Sequence, residues 1–95
     1  MSKNPNEELR SNLIRRLAAE LSVLRAKLGI SQEELAIKIG VSRQTISSIE
    51  GKKRDMTWAM FLSLVCFFDF NDKTAGYLRL IGICSDELNN QLKVR

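Results

Sequence analysis

The 95-residue chain contains no histidine, a single proline and two cysteines, Cys66 and Cys84. Two thiolates without an imidazole do not close an ordinary four-ligand zinc site within one chain, so no metal site is expected. Both cysteines sit in apolar stretches of sequence, which predicts reduced, structural thiols. No serine or cysteine has an evident base beside it, and no glycine-rich loop of the kind that cradles phosphates is present. The chain is therefore expected to be neither an enzyme nor a cofactor carrier. The longest uncharged apolar stretch, Met56 to Phe68, is too short to cross a bilayer. Met1 to Leu9 is polar and acidic, without an apolar signal region. A cytoplasmic protein with no membrane partner is the expectation. No segment alternates apolar and polar residues long enough to suggest a strand, and no repeat or low-complexity run is found. The length leaves room for one core, so residues 1–95 read as a single domain.

What is present is helical punctuation. Hydrophobic residues make up 44 %, enough for one compact core. The net charge of +4 permits nucleic-acid binding without establishing it. Asn4, Pro5 and Glu7 together predict a helix start. Leu9, Leu13, Leu17, Leu21, Leu24 and Leu28 then form one apolar stripe, stopped at Gly29. Ser31-Gln32-Glu33-Glu34 is a capping box that opens a short second helix with Leu35, Ala36 and Ile39 on one side and Ile37 on the other. Gly40 ends it where a left-handed residue is needed. Ser42 caps a third helix, with Ile46 and Ile49 inside and Gly51 at its end. Lys52 to Asp55 read as a basic loop, and Thr57 caps a very apolar fourth helix to about Phe68. Asn71 is expected to cap a fifth helix to about Leu80, broken at Gly82, and Ser85-Asp86-Glu87-Leu88 to start a sixth.

Ser31 to Gly51 carries the functional signal. A glycine turn this short makes the two helices cross steeply. Leu35, Ala36, Ile39, Val41, Ile46 and Ile49 then pack together, and the small Ala36 allows close approach. At about 100° per residue from Ile46, Gln44, Ser47 and Ser48 project outward, flanked by Arg43 and Thr45. Arginine can grip guanine O6 and N7, and glutamine adenine N6 and N7, each with two hydrogen bonds. An ordinary solvated helix face would mix Glu and Lys. An outer face of Arg, Gln, Thr and Ser, free of acid, favours recognition over plain solvation. Lys52, Lys53 and Arg54 follow directly, and their side chains and free backbone N–H groups suit phosphate oxygens. A merely solvated basic loop is the plain alternative.

The stretch Leu24-Arg25-Ala26-Lys27-Leu28-Gly29-Ile30-Ser31-Gln32-Glu33-Glu34-Leu35-Ala36, continued by Gly40-Val41-Ser42-Arg43-Gln44-Thr45-Ile46-Ser47-Ser48-Ile49-Glu50, resembles the Cro/phage-repressor-type helix-turn-helix family, the XRE family. The resemblance covers residues 17–68. It implies an all-α, lambda-repressor-like helical bundle of five to six helices that binds double-stranded DNA. It also implies roles. Arg43, Gln44 and Ser48 would contact bases, Ser47 a base or a phosphate, and Gln32 a phosphate; the residues themselves add Thr45, Lys52, Lys53 and Arg54 as phosphate contacts. Arg25 and Glu50 would form a structural ion pair tying the first helix to the end of the third. The physical reading agrees, because Glu50 lies beside the inward Ile46–Ile49 edge and its charge needs a partner.

The chain departs from the family where a glycine often follows the fourth helix. Here Phe67-Phe68-Asp69-Phe70-Asn71 makes the turn through Asp or Asn. Trp58, Phe61, Leu62, Leu64, Val65, Phe67 and Phe68 crowd the fourth helix nearly all around, so part of it must lie under the fifth helix, the N-terminal extension or another subunit. Residues 1–16 lengthen the first helix beyond the family core, and residues 69–95 add C-terminal helices. Tyr77, Leu78, Leu80, Ile81, Ile83, Leu88 and Leu92 either form a dimer surface or complete the monomer's core. The expected function is a sequence-specific transcriptional regulator, a homodimeric repressor on a palindromic operator. The alternative is an antitoxin-like or phage accessory module whose C-terminal helices grip a partner protein.

Overall fold

The computed structural model describes residues 5–83. The proposed Asn4 cap, Cys84, the sixth helix with its Ser85 start, Leu88 and Leu92 lie outside the described residues. Five helices and no strand are present among those described: α1 (Pro5–Leu28), α2 (Gln32–Ile39), α3 (Arg43–Glu50), α4 (Trp58–Phe70) and α5 (Asp72–Leu80). The chain is thus an all-helical bundle with a helix-turn-helix at α2–α3.

The local chemistry explains each boundary. At α2, the Ser31 side chain accepts the Glu34 amide at 3.0 Å, while Glu34 accepts the Ser31 amide at 2.8 Å. Two amides that the helix cannot satisfy are thereby satisfied by one another's residues. Gly40 stops the helix at φ +78°, a left-handed conformation that costs a residue with a Cβ about 1–2 kcal/mol. Ser42 caps α3 by accepting the Thr45 amide at 3.1 Å, and Thr57 caps α4 by accepting the Met60 amide at 3.1 Å.

The leucine stripe of α1 is the spine of the core. Leu13, Leu17, Leu21 and Leu24 are buried against Leu35, Ile46, Ile49, Phe61, Leu64 and Phe68. The extension of α1 is not idle. Arg10 lies 4.8 Å over the Trp58 ring, which itself stacks on Phe61 at 4.8 Å. The opposite flank of α1 holds α5: Tyr77 donates to Glu20 at 2.6 Å, Lys27 sits over the Tyr77 ring, and Arg16 donates to the Gly82 carbonyl at 3.0 Å. The apolar α4 is therefore wrapped by α1 and α5. Leu78 and Ile83 are buried and complete this core, whereas Leu80 is 79 % exposed.

Two expectations are corrected. Asn71 does not cap α5 with its side chain; its amide donates back to the Phe67 carbonyl at 2.7 Å and closes α4, which runs on to Phe70. The corner is held instead by Thr74, fully buried, whose hydroxyl donates to the Phe68 carbonyl at 2.6 Å. Cys66 is exposed rather than packed. With Phe61, Leu64, Val65 and Phe68 turned inward, about 100° per residue carries position 66 to the far side of the helix. Gly51 ends α3 as expected, at an ordinary φ of −81°, and the next residue, Lys52, is left-handed at φ +60°.

The register of α3 against α1 and α2 is set by Glu50. Arg25 of α1 grips it with two bonds, Nε to Oε2 at 2.7 Å and Nη2 to Oε1 at 3.0 Å, and donates a third to the Ile30 carbonyl at 3.0 Å. Gln32 of α2 donates to Oε1 at 2.9 Å. The Glu50 side chain is 10 % exposed. Burial pushes its pKa up, but the bonds from Arg25 and Gln32 and the Arg25 charge outweigh burial and hold it below the usual value. On the other partner, the bond to Glu50 raises the Arg25 pKa.

A depressed folded pKa means the unfolded chain takes up the proton first. The contribution is complete above the unfolded value of about 4.3 and is lost as pH falls toward the folded value. Arg25→Met should lower unfolding free energy by roughly 3 kcal/mol at pH 7, because it leaves a buried charge, and pairing it with Glu50→Met should recover much of that loss. Urea melts at pH 7 and pH 3.5 check both points; the gap between wild type and Arg25→Met must narrow in acid. Lys52→Gly should raise stability by about 0.5–1 kcal/mol by relieving the left-handed backbone, while Lys52→Ala, with the same charge change, should not.

Candidate nucleic-acid interface

The cap and the ion pair hold α3 at its two ends. Ser42 fixes the first turn and Glu50 the last. Between them, Ile46 and Ile49 are buried, so the opposite face is turned out. Arg43 and Gln44 are exposed, which leaves both long side chains able to reach beyond the helix. Ser47 and Ser48 are half-buried and sit closer to the helix surface. The helix has a single acidic residue, Glu50, and its charge is matched by Arg25. The outer face thus carries cationic and amide donors with no uncompensated carboxylate.

The phosphate candidates differ among themselves. Lys52, Lys53 and Arg54 are all exposed and follow α3 in one loop. Their backbone is less available than expected. The Lys52 amide donates to the Ile49 carbonyl at 3.1 Å and the Lys53 amide to the Ser48 carbonyl at 2.8 Å. Those amides close the helix end, which leaves the side chains for anions. Thr45 is half-buried, and its hydroxyl lies 2.9 Å from that of Ser42. Gln32 is half-buried at the start of α2 and already donates one N–H to Glu50. An amide has two N–H groups, so the Glu50 bond fixes the side chain while leaving it a second donor.

The structure also brings in a side chain that was not singled out beforehand. Arg15 of α1 lines a cleft with Lys52 and Arg54. Arg15 and Lys52 are 37 positions apart, and only the packing of α1 on the α3–α4 loop unites them. No local pattern announces such a pair. A larger surface hollow, about 880 Å³, lies elsewhere, between α2 and α4, and includes Leu28, Ile39, Leu62 and Phe70. Ile37, on the outer side of α2 as expected, is 71 % exposed. Among the described residues no helix is long and apolar enough to cross a membrane.

Comparison with known proteins converges on the same elements. The Helix-turn-helix family profile matches residues 21–57, from the middle of α1 to the cap of α4. An uncharacterized HTH-type transcriptional regulator from Methanocaldococcus jannaschii is 43 % identical over 49 residues, covering 52 % of this chain and 74 % of that protein. No solved structure matches the chain. The matched segment contains the capped pair α2–α3 and the left-handed Gly40 between them, and the chain is a member of the Cro/phage-repressor-type (XRE) helix-turn-helix family.

Proposed function

We propose that the chain is a sequence-specific, double-stranded-DNA-binding transcriptional regulator whose α3 lies in the major groove. The observation that carries this reading is the outer face of α3. Arg43 and Gln44 stand exposed, the only carboxylate is paired inward, and three exposed cations follow at once. Arg43 and Gln44 read base edges, with Ser47 and Ser48 making shorter contacts. Lys52, Lys53 and Arg54 grip phosphates, and Gln32 and Thr45 approach the groove edge. Glu50 keeps its charge and holds Gln32 in place while that second donor is presented.

A homodimer on a palindromic operator follows from the usual geometry of such helices, with half-sites about 34 Å apart along the duplex. Blocking of a promoter makes the protein a repressor. Phe70, 90 % exposed, and Leu80, 79 % exposed, are large apolar groups that a second copy would cover. The same exposed residues favour the second reading, in which a partner protein docks on α4 and α5. Sedimentation with and without DNA separates the two, since only the first predicts two protein chains per duplex site with no third component.

Selection of bound duplexes from a random library at near-physiological salt should return a two-fold-symmetric consensus. Gln44→Ala should relax the preference at one or two positions per half-site, with a loss of about 1–3 kcal/mol at those positions. Lys53→Ala should weaken binding to all sequences about equally and reduce the salt slope by about one unit. If both variants lost affinity while the consensus stayed intact, Gln44 would not be the base reader.

A further inference from the structure

Between α1 and the loop that follows α3 lies a cleft of about 170 Å³, several times the ~30 Å³ share of one water in the liquid. Its floor is apolar and fixed: Ile49 and Met56 are buried, and Ile14 and Ala18 pack against them from α1. Its rim carries three cations, Arg15, Lys52 and Arg54, against one carboxylate, Asp55. A second hollow shares Ile14, Arg15, Asp55 and Met56, so the cleft continues along α1. All four charged residues are exposed. Arg15 is steadied by donating to the Asn12 side chain at 2.5 Å, which uses one of its five N–H donors.

We infer that this cleft is a phosphate-binding site in which Arg15 of α1 acts together with Lys52 and Arg54, and that its ligand is a DNA backbone phosphodiester just beyond the bases read by α3. The inference rests on the DNA-binding reading above and extends it. Three cations from two elements line one hollow with an apolar floor, which offers an oxyanion charge complementarity and hydrogen-bond donors from both sides. The position favours DNA as the source. Two of the cations sit in the loop that directly follows the reading helix, so a duplex against α3 passes this rim. The extension of α1 is thereby more than a cover for Trp58, because it widens the footprint by one backbone contact. Asp55 opposes an anion here, so its neutralisation must act in the opposite direction to loss of Arg15.

The test uses the full chain and measures duplex affinity from 50 to 300 mM salt for wild type, Arg15→Gln, Asp55→Asn and Lys73→Gln. Lys73 is exposed on α5, outside the cleft, and controls for net charge. Arg15→Gln should weaken binding about tenfold to every sequence and reduce the salt slope by about one unit. Asp55→Asn should tighten binding several-fold, and Lys73→Gln should change affinity less than twofold. If Arg15→Gln behaved as Lys73→Gln while wild type still bound its consensus, the site would be refuted and the DNA-binding reading would stand. In parallel, inorganic phosphate is titrated without DNA while the backbone amide shifts of residues 52–56 are followed. If wild type bound no duplex, a saturable phosphate response lost in Arg15→Gln would keep the anion site, with a free phosphate as its source. The absence of both responses would overturn the two readings together.

Discussion

The arrangement depends on the Glu50 carboxylate. An eight-residue helix has little stability of its own and takes its place from what it packs against. Ile46 and Ile49 attach α3 to the core, but apolar contact is non-directional and tolerates small rotations. The Arg25 fork is directional. Two parallel bonds to one carboxylate fix the end of α3 relative to α1, and Gln32 fixes it relative to α2. Three helices that touch through leucines and isoleucines are brought into one register by a single charged group. The burial that makes Glu50 costly to ionise also makes its partners indispensable.

The consequence for function is a division of labour around one short cylinder. One side supplies the core with Ile46 and Ile49; the other offers Arg43 and Gln44 to whatever lies outside. The remaining elements support that division. The α1 stripe buries the inner side, α4 and α5 close the far end of the core, and the left-handed Lys52 turns the chain away so that a run of cations emerges beside the exposed face of α3. Lys52 adopts a backbone that glycine would accept more readily. A lysine there trades some stability for charge at the point where a polyanion would pass.

Much of this was readable from residue order because the relevant signals are local. A capping box, a left-handed glycine and a leucine every three or four residues each report on a single turn of chain, and Ser31–Glu34, Gly40 and the α1 stripe stand where they were expected. The Arg25–Glu50 pair was anticipated through family resemblance and the position of Glu50, and it is present. The misreadings share a cause. Cys66 has apolar neighbours in sequence and none of their burial, because helical rotation separates sequence neighbours in space. The Lys52 and Lys53 amides were expected to be free but serve the helix end, a choice made by a backbone conformation no side chain declares. Thr74 carries no signal in residue order, and only the α4–α5 corner buries it against the Phe68 carbonyl. The Arg15 cleft joins segments far apart in the chain, and only their packing reveals it.

The most direct test of the central claim, that Glu50 holds α3 as the groove-facing element, is photocrosslinking from single positions. A photoreactive side chain placed at position 44 should crosslink to bases of a bound duplex, whereas one at position 70 should not. In an Arg25→Met background the crosslinks from position 44 should spread over several bases as α3 loses its register. Efficient base crosslinks from position 70 with none from position 44, or an unchanged pattern after Arg25→Met in a folded protein, would contradict the account.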